Sequence, residues 1–313
     1  MVVLKSAFLA SLVAFTCGAS AWTVKEALSG ENFFNGFDYF TGADPTHGFV
    51  QYVDKATAKA KNLIYTQNGQ VIIKADNSTV TPNGRPSIRL TSHYTFTTGL
   101  VVLDLEHMPT GCGTWPAFWT LGTGTWPNNG EIDIIEGVHN QAHNQVTLHT
   151  SAGCTMEGVS RSQTGKVLTP NCDVNAGGQA ANAGCGVEAP NTNTYGAGLN
   201  NIRGGVYATL WTNQGIRTWF FPRGSIPSDI TKEAPNPDAW GKPIANFPFG
   251  SNCPSSKFKN HNVIFDLTFC GDWAGSVYGN SGCPSTCVDY VQNNPSAFSQ
   301  AYWKINSLKI FQQ

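Results

Sequence analysis

Charged side chains are scarce in this chain of 313 residues. Asp, Glu, Lys and Arg make up 12% of the sequence and the formal net charge is −1, whereas an average protein has about 25% charged residues. Proteins that bind nucleic acid usually carry a basic patch or stripe, and the sequence shows none. We therefore predict no nucleic-acid partner, and a neutral ligand rich in hydroxyl groups suits this surface best.

Long hydrophobic runs are absent beyond the N-terminus. Residues 1–21, MVVLKSAFLASLVAFTCGASA, combine an early Lys5, an apolar stretch from Ala7 to Phe15 and a small-residue ending at Ala21. This pattern is typical of a secretory signal peptide. A membrane anchor is the alternative, but it needs about 20 continuous apolar residues. We expect cleavage after Ala21, export to the extracellular space or cell wall, and no membrane partner.

Removal of the signal peptide would also remove one of the nine cysteines. An even set in an oxidising compartment predicts disulfides, with the pairing left open by the sequence. Zinc is the competing interpretation, but the sequence has no Cys-x2-Cys pair, so we predict no metal and no cofactor. The sequon Asn77-Ser78-Thr79 predicts glycosylation at Asn77. The remaining cysteines are Cys112, Cys154, Cys172, Cys185, Cys253, Cys270, Cys283 and Cys287.

Short alternating apolar segments separated by turn residues dominate the remainder. Such a pattern predicts an all-β sandwich or jelly roll. VDKATAKAKN from Val53 predicts a helical turn or two, and residues 151–201, with three pinning cysteines, predict a long loop. Since no repeat or linker divides the chain, we predict one domain over 22–313. The predicted strands are VIIKA from Val71, SIRLTS from Ser87, GLVVLDLEHM from Gly99, EIDIIE from Glu131, QVTLHTS from Gln145, GVYATLW from Gly205, IRTWFF from Ile216 and VIFDLTF from Val263.

The segment GEIDIIEG, at 130–137, holds Glu131, Asp133 and Glu136. In a strand, the first two side chains share one face, and strict alternation sends Glu136 to the other. A β-bulge at Ile134-Ile135 returns it, and bulges are enriched beside active sites. The alternative is a solvated acidic strand face, but flanking glycines and the scarcity of acids elsewhere favour a site.

Two carboxyl groups are what glycoside hydrolysis requires. One donates a proton to the leaving oxygen, and the other attacks the anomeric carbon or activates water. A separation of about 5 to 5.5 Å between the carboxyl groups of Glu131 and Glu136, which we expect, would give retention of configuration. Asp133 lies between them, and its charge discourages ionisation of its neighbours.

GEIDIIEG matches the E-x-D-x-x-E signature of glycoside hydrolase family 16, and GTWPAFWTLG, TLHTSAGC and TFCGDWAG resemble flanking segments of its laminarinase-like fungal members. The resemblance covers nearly the whole mature chain. It implies a jelly roll of two curved antiparallel sheets, concanavalin A-like, with a glucan chain on the concave face. It implies that Glu131 is the nucleophile, Glu136 the acid/base and Asp133 their assistant. It also implies substrate binding by Arg89, Trp119, Trp126, His149 and Trp273.

The residues themselves support part of this assignment. In TWPAFWT, Trp115 and Trp119 share one face, where sugar rings can stack, although core packing is the more common role of a tryptophan. Trp126 and Trp273 lie in Gly-rich loops, where a buried ring would be unusual. Trp211 and Trp219 are predicted to be structural.

Polar residues near the acids have two interpretations each. His149 lies on the polar face of its strand. One interpretation is that it contacts the substrate or the acids, and the other is that it is a solvated surface histidine. Arg89 contacts substrate or forms a structural salt bridge. His139 and His143 have a spacing that could bind metal on a helix, but their loop sequence lacks the metalloprotease pattern.

These features predict a secreted, monomeric, retaining endo-β-glucanase that hydrolyses 1,3- or mixed 1,3/1,4-β-glucans such as laminarin and lichenan. A cell-wall glucan transglycosylase is the first alternative, because it begins with the same covalent step. The second is a lectin-like glucan-binding module, which the pair Glu131 and Glu136 argues against. Linkage preference and the balance between hydrolysis and transfer stay open.

Overall fold

The computed structural model describes residues 22–313, so the predicted signal peptide lies outside the described residues. Every strand predicted from the sequence is present. The strands are β1 (Thr23–Leu28), β2 (Phe37–Tyr39), β3 (Val50–Tyr52), β4 (Ile64–Gln67), β5 (Gln70–Lys74), β6 (Arg85–Ser87), β7 (Arg89–Phe96), β8 (Gly99–His107), β9 (Thr114–Gly122), β10 (Glu131–Glu136), β11 (Gln145–His149), β12 (Lys166–Val167), β13 (Cys185–Glu188), β14 (Gly205–Thr212), β15 (Gly215–Pro222), β16 (Ala245–Pro248), β17 (His261–Phe269) and β18 (Tyr302–Gln312).

Helices are short and lie between the strands. The predicted helical turn is α1, whose N-cap Asp54 accepts a hydrogen bond from Thr57 N at 2.9 Å. Within residues 22–313, no helix has the length and apolar character needed to cross a bilayer. The α-helices are α1 (Lys55–Ala60), α2 (Gly196–Asn201), α3 (Ser228–Thr231) and α4 (Cys287–Asn293); 3₁₀ turns lie at Gly30–Asn35, Arg223–Ser225, Pro237–Ala239, Ser255–Lys257, Tyr278–Asn280 and Pro295–Phe298, and a π-helical turn lies at Gly271–Gly275.

Two large antiparallel sheets form the fold. The back sheet has the order β16-β15-β14-β8-β18-β5-β4, with β1 also paired to β18. The front sheet has the order β12-β13-β11-β10-β9-β17-β7-β2. Strands β3 and β6 form a separate parallel pair. The predicted all-β jelly-roll sandwich is thereby confirmed.

The hydrophobic core lies between the two sheets. Because strand side chains alternate between faces, each sheet contributes one apolar face to it. In the front sheet, the rings of Phe118 and Phe265 are 4.6 Å apart, and Phe265 meets Trp303 of the back sheet at 5.8 Å. Trp211 and Trp219 are 2% and 3% exposed, so their predicted structural role is confirmed.

All eight cysteines of residues 22–313 form disulfides, which confirms that prediction and supplies the pairing. Two of the bonds fix residues 151–201, as predicted. The prediction that this region is only a loop is partly wrong, because β13 pairs with β11 and extends the front sheet. The pairs are Cys112–Cys283, Cys154–Cys253, Cys172–Cys185 and Cys270–Cys287.

Candidate active site

A cleft of about 950 Å³ lies on the outer face of the front sheet. Six neighbouring strands, β7, β17, β9, β10, β11 and β13, contribute residues to its lining, and loop residues complete it. Each residue that the sequence singled out for catalysis or sugar binding lines this cleft. They are Arg89, Trp115, Trp119, Trp126, Glu131, Asp133, Glu136, His149 and Trp273.

The predicted β-bulge is confirmed in β10. Against β9, Asp133 pairs with Trp119 and Ile135 with Phe118, so Ile134 is the extra residue. The side chains of Ile134 and Ile135 are both buried in the core. Because the bulge resets the alternation, Glu136 lines the same cleft as Asp133.

Both outer glutamates accept a hydrogen bond from an indole. Trp126 Nε1 donates to Glu131 Oε2 at 2.9 Å, and Trp115 Nε1 donates to Glu136 Oε1 at 2.9 Å. The sequence predicted that these two tryptophans would stack on sugar rings, and it gave no sign that their N–H groups hold the carboxyl groups. In each glutamate, the indole bonds to one carboxyl oxygen and leaves the other oxygen available.

The central acid lies beside the histidine. His149 Nε2 is 3.2 Å from Asp133 Oδ2 and 3.9 Å from Glu131 Oε1. Asp133 lines the cleft and is only 2% exposed. Glu131, Asp133 and His149 offer ligand atoms within 4.8 Å of one another and could reach one cation, although the sequence predicts no metal. His139 and His143 instead bond to main-chain atoms of Gly113 and Ala189.

Burial holds protons on these acids. It raises the pKa of Glu131 from 4.5 to about 8, and the charge of Asp133 adds to the rise. The same two causes raise the pKa of Glu136 to about 8. Burial, followed by the charge of Asp266, holds the pKa of Asp133 well above its usual range. The cluster therefore retains protons near neutral pH, which a general acid requires.

A fourth buried carboxyl, Asp266 on β17, was missed by the sequence analysis. It accepts hydrogen bonds from Trp119 Nε1 at 2.8 Å and from Tyr52 Oη at 3.2 Å. Burial raises its pKa to about 6, an effect that the nearby Arg89 opposes. The signal in the sequence was a single acid inside the apolar strand VIFDLTF, since a buried charge needs partners.

Aromatic rings and the arginine form one wall of the cleft. The Arg89 guanidinium stacks on Trp119 and on Phe40, at 5.1 Å from each ring centroid. Trp273 meets Trp115 edge to face at 5.7 Å. Partly exposed rings beside hydrogen-bonding groups suit a ligand that combines C–H faces with hydroxyl groups.

Comparisons with known proteins agree with this geometry. A family model described as XgeA-like, catalytic GH16 domain, matches residues 37–311. An endo-1,3(4)-beta-glucanase of Arthroderma benhamiae is 46% identical over 95% of this chain. The chain spans 66% of the length of that relative.

Two solved structures are similar over their full length. Laminarinase 16A from Phanerochaete chrysosporium, with two 6-O-glucosyl-laminaritriose molecules in its donor and acceptor sites, has a TM-score of 0.89 and 48% identity; the match covers 94% of this chain and 100% of that one. An elongating beta-1,3-glucosyltransferase has a TM-score of 0.87 and 42% identity, over 93% and 100% of the two chains.

The fold, the bulged acidic strand and these matches define a glycoside hydrolase. The chain belongs to glycoside hydrolase family 16, as its resemblance to that family predicted.

Proposed function

We propose that the chain is a retaining endo-β-glucanase that hydrolyses 1,3- or mixed 1,3/1,4-β-glucans such as laminarin and lichenan. The observation that carries the proposal is the bulge in β10, which brings Glu131, Asp133 and Glu136 into one cleft. The names of the similar proteins support a β-glucan as the ligand. An uncharged polysaccharide also fits the net charge of −1.

In the proposed mechanism, Glu131 is the nucleophile. The reactive form is the one in which Glu131 has lost its proton and Glu136 has kept its own. In this form the Glu131 carboxylate attacks the anomeric carbon as the glycosidic C–O bond breaks, and Glu136 gives its proton to the departing oxygen. Glu136 then takes a proton from water, whose oxygen displaces Glu131 from the anomeric carbon. Two inversions give net retention of configuration.

Burial suits Glu136 as a proton donor, whereas Glu131 needs neighbours that favour its charged form. The indole N–H of Trp126 stabilises the charged form of Glu131 and so opposes the rise in its pKa. The bond from Trp115 Nε1 occupies Oε1 of Glu136, which leaves Oε2 to carry the transferable proton. We propose that Asp133, in contact with His149, assists both glutamates by adjusting the charge of the cluster.

Sugar binding is proposed for the wall formed by Arg89, Trp119 and Trp273. The guanidinium supplies hydrogen-bond donors for hydroxyl groups, and its stacking on Trp119 fixes its plane. Trp126 is 42% exposed, so its ring face is free to stack on a sugar while its N–H holds Glu131.

The test is the anomeric configuration and size of the first products from laminarin, lichenan and barley β-glucan, followed by NMR and chromatography. We expect β-anomers at early times and oligosaccharides of several lengths. Glu131→Gln, which keeps the shape of the side chain, should fold and bind glucan but lose turnover. Initial α-anomers would refute the double displacement, and near wild-type turnover by Glu131→Gln would refute its role.

Transglycosylation is the second candidate function, because one similar structure is an elongating glucosyltransferase. The two reactions share the glycosyl-enzyme and differ in whether water or a sugar hydroxyl releases it. Products longer than the supplied oligosaccharide, at substrate concentrations where hydrolysis is saturated, would favour transfer. Their absence would favour hydrolysis alone.

We also propose export and glycosylation. The disulfides that pair all cysteines of residues 22–313 are typical of an oxidising compartment. Asn77 is half-buried in a turn where its Oδ1 accepts a hydrogen bond from Lys74 Nζ. A mass shift removed by an N-glycosidase, and absent from Asn77→Gln, would test the glycan.

A further inference from the structure

We propose that Asn144 is a positioning residue that fixes the bulge and thereby the carboxyl group of Glu136, an inference that rests on the proposed role of Glu136 as acid/base. Asn144 directly precedes β11 and is fully buried. Its Nδ2 donates to the carbonyl oxygen of Ile134 at 2.8 Å. Its Oδ1 accepts from the main-chain N–H of Glu136 at 3.1 Å.

The bulge creates a need for these two bonds. The pairing of β10 with β11 passes from Asp133–Thr147 directly to Glu136–Gln145, so two residues of β10 face one residue of β11. A buried main-chain group without a partner is costly. The planar amide of Asn144 offers a donor and an acceptor side by side, as the N–H and C=O of one residue in a regular antiparallel strand do.

Glu136 is consequently held at both ends. Asn144 fixes its main-chain nitrogen, and Trp115 Nε1 fixes its carboxyl group. Behind it, Gly137 packs so closely on Tyr195 that a Cβ at 137 would lie 2.8 Å from the ring. A general acid must lie within hydrogen-bond reach of the leaving oxygen, so loosening the bulge should impair proton donation before it impairs nucleophilic attack.

Thr194 provides a matched control. It is 3% exposed, and its Oγ1 accepts a hydrogen bond from the main-chain nitrogen of Asn144 at 3.2 Å. Thr194 Oγ1 also donates to the carbonyl oxygen of Asn191 at 2.7 Å. Thr194→Val therefore removes two hydrogen bonds next to the same residue but leaves the side-chain amide of Asn144 on the bulge.

The experiment compares two donors that differ in their need for an acid. The sugar leaving group of laminarin must be protonated, whereas the phenolate of 2,4-dinitrophenyl β-laminaribioside leaves without a proton. Its pre-steady-state burst reports formation of the glycosyl-enzyme alone. For Asn144→Ala we expect a loss of about 10- to 100-fold in kcat on laminarin, and less than about threefold in the burst rate. Glu136→Gln should show the same pattern more strongly, and Thr194→Val should resemble wild type on both donors.

Equal losses on the two donors, or no loss on laminarin, would overturn the inference while leaving the role of Glu136 intact. If Glu136→Gln itself does not distinguish the donors, the proposed acid/base and the inference both fail. Asn144→Asp is a second variant, needed if Asn144→Ala does not fold. When the new aspartate is protonated it can donate to the carbonyl oxygen of Ile134, and when it is ionised it cannot. As the pH is raised, activity on laminarin should therefore begin to fall at a lower pH in this variant than in wild type. An unchanged pH profile would overturn the inference.

Discussion

Glu131 and Glu136 have the same chemistry in two different settings. Each accepts one indole N–H at 2.9 Å, and burial raises the pKa of each to about 8. Glu131 follows the Gly- and Pro-rich loop that carries its donor, Trp126, which is 42% exposed. Glu136 lies beyond the bulge, and its donor, Trp115, belongs to the regular strand β9.

This difference suits the two proposed roles, which need different mobility of the side chain. As the proposed nucleophile, Glu131 would move towards carbon and back during the reaction, and a donor on a loop can follow it. As the proposed acid/base, Glu136 would pass a proton over a short distance in both steps. Its donor lies on a packed strand and Asn144 bonds to its main chain, so both hold it in place. The two glutamates should therefore respond differently to the same kinds of change.

The largest difference is expected when either carboxyl group is removed and azide is supplied. Glu131→Ala and Glu136→Ala should each lose roughly 10⁴-fold or more in kcat on laminarin. With an activated aryl donor, azide should replace the nucleophile in Glu131→Ala and give an α-glycosyl azide. In Glu136→Ala, azide should attack the glycosyl-enzyme and give the β-glycosyl azide. The configuration is read by NMR.

Glu157→Ala, which removes an exposed glutamate outside the cleft, is the control and should keep wild-type activity. Finding the same azide anomer from both cleft variants would contradict the division of roles, and exchanged anomers would reverse it.

A smaller effect should follow from removing each indole N–H. Trp126 lowers the pKa of Glu131, so Trp126→Phe should raise it and move the acid limb of the kcat profile to higher pH. Trp115 lowers the pKa of Glu136, so Trp115→Phe should move the alkaline limb to higher pH. A hydrogen bond to a charged group is worth about 1.5 to 3 kcal/mol, which corresponds to roughly tenfold or more in rate at the affected limb.

The measurement is kcat on laminarin across pH for both variants. If both variants shifted the same limb of the kcat profile, then Trp126 and Trp115 would not each act on a different glutamate in the working enzyme.

Much of this arrangement could be predicted from the sequence because the relevant patterns are local. Alternation with period two gave the strands, and the break in that alternation between Asp133 and Glu136 gave the bulge. The central strand β18 was not predicted, although it has eleven residues. Its pairing with β8 shifts between Ile305 and Ser307, and this second irregularity hides the apolar alternation.

Contacts between distant strands could not be predicted. Asp266 meets Trp119 across 147 positions of sequence, and no local pattern reports that distance. Asn144 looks like a turn residue before a strand, and its role follows only from the unpaired groups of the bulge opposite. The direction of an indole N–H depends in the same way on which carboxyl group the fold brings near.

The raised pKa values also predict a stability cost. Between pH 4.5 and about 8, the folded carboxyl of Glu131 keeps its proton while the unfolded one loses it, so this group makes stability fall as pH rises. The side chain of Glu131→Gln cannot ionise, so the variant avoids this loss in the free energy of unfolding. Its Tm should exceed that of wild type at pH 7 by about 2 °C for each kcal/mol of unfolding free energy regained. The gain should vanish below pH 4.5.

Differential scanning calorimetry from pH 4 to 8 would measure this change, with Glu157→Gln, at an exposed position outside the cleft, as the matched control. A lower Tm for Glu131→Gln at pH 7 would mean that its charge is compensated in the folded protein.

The smallest effect is expected at Asp266, which holds the wall proposed to bind sugar. Asp266→Asn leaves one acceptor oxygen for the two donors Trp119 Nε1 and Tyr52 Oη. Trp119 and the stacked Arg89 would then be less firmly placed, so KM for laminarin should rise about threefold with kcat nearly unchanged. This pattern is expected when binding of the substrate and of the transition state weakens equally. Tyr52→Phe, which leaves the Trp119 bond in place, should change KM less. A fall in kcat without a change in KM would instead connect Asp266 to the acids through Asp133, whose pKa it raises.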